Sequence, residues 1–114
     1  MAVIGFSDKA EDIVSFRKAI FRMILSRAKS YLADSADIAE LDLFGVMEGI
    51  SFELVPADQQ ARLVDAVYHG TRDLRQDIAD GKPTEEPVRA GIDEKLDEIL
   101  ALLSRFRHQG GAQP

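Results

Sequence analysis

The chain has 114 residues, 46% of them hydrophobic and 30% charged, with a formal net charge of −6 and no cysteine. That length gives one domain with a core of its own, and the lack of cysteine removes disulfides, thiolate catalysis and Cys-based metal sites. The negative balance opposes nucleic-acid binding, which needs a basic footprint, and no apolar run approaches the roughly 20 residues of a membrane span.

Met1 to Phe6 is apolar, but it is too short for a signal h-region and lacks a basic n-region, so a reducing cytoplasm is the expected compartment. The first predicted helix covers 8–33. Asp8 is placed to cap it, with Glu11 three residues on as a capping-box partner. At helical spacing Ile13, Val14, Phe16, Ile20, Phe21, Met23, Ile24, Leu25, Ala28, Tyr31 and Leu32 form one broad apolar arc, with Arg17 and Arg27 inside it. Lys18, Arg22 and Lys29 lie opposite. A basic strip behind an apolar arc also fits a helix on a membrane surface, but a bundle core needs the same arc, and the net charge opposes anionic lipid.

The second predicted helix covers 36–54 and ends at Pro56. Its apolar residues point in nearly every direction, and Ile50 to Leu54 also alternates as a strand would. Helix is preferred because no second strand is visible to pair with it. Gly45 and Gly49 stand four apart, where missing side chains admit a close neighbour, and a mid-helix glycine costs about 1 kcal/mol unless contact offsets it. A third helix, 57–80, carries a clean stripe from Leu63 to Ile78 and is stopped by Gly81 and Pro83. A fourth, 84–108, is capped by Thr84 and carries Val88, Ile92, Leu96, Ile99, Leu103 and Phe106 along one face. Short connections make these an all-α, up-down-up-down four-helix bundle over 1–108, with 109–114 a disordered tail.

Charge is divided sharply along the chain. Residues 8–33 hold six Lys or Arg against three acids, whereas 34–60 holds Asp34, Asp37, Glu40, Asp42, Glu48, Glu53 and Asp58 with no Lys or Arg. Antiparallel first and second helices would bring some of these carboxylates to the bases of the first, with Arg17 and Arg27 as the expected recipients. The surplus, assigned to Asp37, Glu40 and Glu48, would form an outward acidic patch that steers a basic partner.

No constellation marks a catalytic, cofactor or metal site. His69, with Asp65 before it and Arg72 after it, is expected to be exposed opposite the apolar stripe. The run His69-Gly70-Thr71-Arg72-Asp73 resembles the His-x-x-Lys-Gly pattern of phosphorelay domains, but it places an acid where a small residue is needed. Asp93, Glu94, Asp97 and Glu98 resemble one half of the carboxylate set of helical pyrophosphatases, without the second acidic helix. The resulting expectation is a non-catalytic protein–protein interaction domain. Its contact residues are Asp37, Glu40, Phe44, Gly45, Met47, Glu48 and Gly49, and helix 2 also serves homodimerisation. The alternatives are a phosphotransfer domain using His69, or an acidic inhibitor of the immunity-protein or antitoxin kind.

Overall fold

The computed structural model describes residues 1–111, with side chains through Arg107. It overturns the all-α four-helix bundle. Among the described residues are four α-helices and a three-stranded mixed sheet, so the fold is α+β. The strands are β1 (Ala2–Gly5), β2 (Ile13–Phe16) and β3 (Gly49–Ser51), in the order β2-β1-β3. The helices are α1 (Lys18–Ala28), α2 (Ser35–Met47), α3 (Ala57–Ala79) and α4 (Ile92–Gly111).

The predicted first helix fails over its first ten residues because β1 and β2 form an antiparallel pair, with Ala2 opposite Phe16 and Ile4 opposite Val14. In Ile13-Val14-Ser15-Phe16, Val14 and Phe16 are buried and Ser15 is exposed, the period-2 pattern of a half-buried strand. A four-residue alternation falls within a wide helical arc as easily as within a strand. Asp8 and Glu11 form no capping box. Instead Ser7 Oγ donates to Asp12 Oδ2 at 2.6 Å, and the Asp12 carbonyl accepts from Phe6 N at 3.0 Å, closing the connection between the strands.

Helix 2 stops at Met47 rather than 54. Glu48 takes the left-handed conformation, φ 59°, and redirects the chain into β3, which runs parallel to β1 with Ile50 beside Ile4. The alternation over Ile50 to Leu54 was thus a strand signal at its start, followed by a single 3-10 turn over Phe52–Leu54. The partner strand was the apolar N-terminal segment.

Helix α3 occupies Ala57–Ala79, within one residue of its predicted end, and packs against both α1 and α4. Gly81, at φ 70°, turns the chain away. The fourth helix begins at Ile92 instead of 84. Pro83, Pro87 and Gly91 (φ 88°) interrupt the backbone, and Thr84 Oγ1 donates to the Glu86 carbonyl instead of capping a helix. The irregular segment lies across α1 through Glu86–Arg22 at 2.7 Å and Glu85–Arg27 at 2.8 Å. Helix α4 continues to Gly111, so 109–111 are helical; the rest of the predicted tail, 112–114, lies outside the described residues.

One core joins sheet and helices. Ile4, Phe16 and Ile50 from the sheet meet Phe21, Ile24, Leu41, Phe44, Leu63, Val67, Leu96 and Leu103. Phe6 stacks on Phe52 and Phe106, with ring centroids 4.8 and 3.9 Å away, which ties the β1–β2 connection to the end of α4. Of the three glycines, the one at a close helix–helix contact is Gly70, not Gly45 or Gly49. A Cβ on Gly70 would stand 2.7 Å from the Ile24 carbonyl oxygen and 2.8 Å from Ala28 N, both backbone atoms of α1. No helix among the described residues is long and apolar enough to cross a membrane.

Candidate functional site

Helix α2 is built with two apolar sides. Asp34 caps it, its Oδ1 accepting from Ala36 N at 2.7 Å. One side carries Asp37, Leu41 and Phe44 into the molecule at steps of four and three residues, and Phe44 meets Phe52 edge-on at 6.2 Å. The other side carries Ala36, Ala39, Leu43, Val46 and Met47, again at three- and four-residue steps, and all five are exposed. Leu43 is 48% exposed, Met47 71% and Val46 80%. A helix of this kind has little net amphipathicity because its two apolar faces oppose each other, which is why its residues point every way in the sequence.

Polar contacts fix the rotation that turns this stripe outward. Asp37 is 1% exposed and receives Arg62 Nε at 2.6 Å, Arg62 Nη2 at 3.1 Å and Gln59 Nε2 at 3.0 Å from α3. A buried carboxylate held by three donors stays ionised, and the Arg62 guanidinium, then Gln59, holds its carboxyl below the ordinary aspartate range. Toward α1, Asp42 pairs with Lys29 at 2.8 Å and Glu48 with Lys18 at 2.7 Å. Lys18 likewise lowers the Glu48 carboxyl. Gly45 faces Leu25 on this side, where an added Cβ would make an ordinary 3.5 Å contact.

The structure therefore redistributes the seven predicted contact residues. Met47 lies on the outward stripe, and Glu40 is half-buried with no ion pair among the described residues. Asp37 and Phe44 point inward and are unavailable to a partner. Glu48 is occupied by Lys18. Gly45 rests near Leu25, and Gly49 belongs to β3, where a Cβ would come within 2.9 Å of the Val3 carbonyl oxygen. Bases of the predicted first helix do reach acids of the predicted second, but through Lys18 to Glu48 and Lys29 to Asp42. Arg27 pairs with Asp77 and Glu85 instead. Of the seven acids in 34–60, Asp37, Asp42 and Glu48 are paired, which leaves Asp34, Glu40, Glu53 and Asp58 without an ion pair among the described residues. Leu43, Val46, Ala36 and Ala39 were missed, although starting the helical count at Ala36 reveals them.

His69 is not the exposed histidine expected from its angle on α3. Its side chain is only 18% exposed, stacked by Tyr31 at 4.9 Å and met edge-on by Tyr68 at 5.4 Å. Arg107 reaches across from α4 to Asp65 at 2.6 Å and lies over the Tyr68 ring at 4.4 Å. His69 Nδ1 is buried without a hydrogen-bond partner among the described residues. The ring is thus enclosed between Tyr31 and Tyr68 and not presented on the helix surface. Asp97 pairs with Arg75 and Glu98 with Lys95, and no group of three or more His, Asp or Glu capable of holding a metal is found among the described residues. An open pocket of about 260 Å³ is lined by Arg27, Ser30, Asp73, Gln76 and Asp77, whose charged side chains already have hydrogen-bond partners: Tyr31 donates to Asp73, and Arg27 to Asp77.

No family model, curated protein or solved structure matched this chain.

Proposed function

We propose that this protein is a non-catalytic interaction domain of the reducing cytoplasm, and that its contact surface is the outward stripe of α2. One observation carries the reading: Leu43, Val46 and Met47 stand exposed on one helix face with Ala36 and Ala39, while the opposite face of the same helix already fills the core. Isolated exposed apolar residues are common, but an aligned set on one rigid element marks a contact site. Three ion pairs, Asp37–Arg62, Asp42–Lys29 and Glu48–Lys18, hold the stripe outward. The alternative of an acidic inhibitor uses the same surface, with Asp34, Glu40, Glu53 and Asp58 as its uncommitted charges.

A photo-crosslinking residue placed at Val46 tests this in the native cell, with the same residue at Glu94 on the exposed start of α4 as control. The expected result is a discrete adduct from position 46, absent from position 94 and lost when Met47→Glu is added. Identical adducts from both positions, or adducts that survive Met47→Glu, would remove α2 as the contact surface.

A further inference from the structure

The stripe and its surroundings constrain what covers it. The N–H groups of α2 beyond its first turn are bonded within the helix, so its side offers no backbone donors to an incoming extended chain. A partner strand laid there would leave its own polar groups unpaired, whereas a partner helix satisfies its backbone internally and needs only an apolar face. The stripe also tapers in bulk. Ala36 and Ala39 at its beginning admit close approach, and Leu43, Val46 and Met47 at its end provide knobs between which partner side chains insert.

Charge selects among helices. Glu40 lies one step to the side of the stripe, Asp34 caps α2, and Asp58 stands in the first turn of α3, whose Gln59 and Arg62 reach Asp37 at the start of α2. None of these three has an ion pair among the described residues, while the neighbouring Asp42 and Glu48 do. The uncommitted side-chain charges around the start of the stripe are therefore negative. A second copy brings an identical rim and its own net charge of −6. The contact is also narrow: thirteen helical residues are about 20 Å long and about 10 Å wide, far below the roughly 800 Å² per partner of a stable interface. A face this small gains most from a partner whose flanks carry the opposite sign.

We infer that the outward stripe of α2 receives an amphipathic helix of another protein, apolar on one face and flanked by Lys and Arg. This rests on the reading of α2 as the contact surface. Homodimerisation through helix 2 is the competing occupant.

The test uses the full chain and two labelled synthetic helical peptides that share an apolar stripe, one flanked by lysines and one by glutamates. Fluorescence anisotropy should show the lysine-flanked peptide binding about tenfold tighter or more. Val46→Glu should abolish that binding while circular dichroism stays unchanged. Glu40→Gln with Asp58→Asn should weaken it several-fold at low salt, with the difference vanishing as salt is raised. Equal affinity for the two peptides, binding retained in Val46→Glu, or no binding by either peptide at about 1 mM would overturn the inference. A dimer by light scattering at about 100 µM that Val46→Glu dissociates would give the stripe to a second copy, overturning the partner class but keeping α2 as the surface. Failure of the otherwise wild-type chain to give a position-specific adduct at 46 would instead overturn the surface itself.

Discussion

Helices α3 and α2 lie side by side with opposite degrees of enclosure. Helix α3 has α1 on one side and α4 on the other, and its apolar residues from Leu63 to Leu74 are buried between them. Helix α2 has more apolar positions for its length, eight of 13 against ten of 23, but α1, α3 and β3 cover only part of its circumference, so Leu41 and Phe44 are buried while Val46 and Met47 are left in water. The same contrast appears in their glycines. Gly70 of α3 is pressed against the α1 backbone, and Gly45 of α2 has room for a side chain. Apolar content alone does not tell a core helix from one with a face to spare; how far its neighbours wrap round it does.

The largest expected effect breaks the enclosed side. In Gly70→Ala the added Cβ meets the backbone of Ile24 and Ala28, which cannot move aside as a flexible side chain would. The helix-propensity gain of about 1 kcal/mol is outweighed by separating α1 from α3, for a net loss of about 1–3 kcal/mol in denaturant unfolding. A neutral or stabilising result would show that the crossing is looser than described.

Next comes the fastening of α2. Asp37→Asn leaves Arg62 facing a neutral amide and should lower Tm, by less than Gly70→Ala does. Because Arg62 and Gln59 lower the Asp37 carboxyl in the folded state, its contribution is present above the ordinary aspartate range and disappears as pH falls through the folded value. The Tm difference between wild type and Asp37→Asn should thus be constant from about pH 5 to 8 and shrink below about pH 4. A difference that persists unchanged at low pH would detach the effect from the ion pair.

The smallest effect on stability has the opposite sign. Gly45→Ala places a Cβ 3.5 Å from Leu25 Cδ1, an ordinary contact on an exposed helix interior, and should stabilise by about 0.5–1 kcal/mol. Destabilisation there would restore Gly45 as a close-packing position and weaken the contrast with Gly70.

Much of the outline was legible in the sequence where a single period ran long enough. The stripe of α3 recurs over four turns and has Gly81 as its stop, so its limits could be read directly. The strands could not be read this way. Each has three or four residues, and Ile13, Val14 and Phe16 fit a helical arc and a pleated edge equally well; only the pairing of Ala2–Gly5 with them decides between the two. The eight residues expected at the start of helix 4 were lost to Pro87 and Gly91, which the sequence displays, and to contacts no local pattern contains, Glu85 to Arg27 and Glu86 to Arg22, which lie 58 and 64 positions apart in sequence. In the candidate site, the lack of a single apolar face on helix 2 was visible from the residues. Which face turns inward was not, because that depends on Arg62 reaching Asp37 from another helix. Phe44 was therefore assigned to a partner and Val46 overlooked.

The most direct test compares stability with binding in one molecule, the double variant Val46→Glu, Met47→Glu. Both residues are exposed, so its unfolding free energy should stay within about 0.5 kcal/mol of wild type, while binding of the lysine-flanked peptide is lost. Binding that survives the double substitution, or a loss of stability as large as that of Gly70→Ala, would contradict the account. The first would place the contact elsewhere, and the second would mean that the outward stripe is already packed within the molecule.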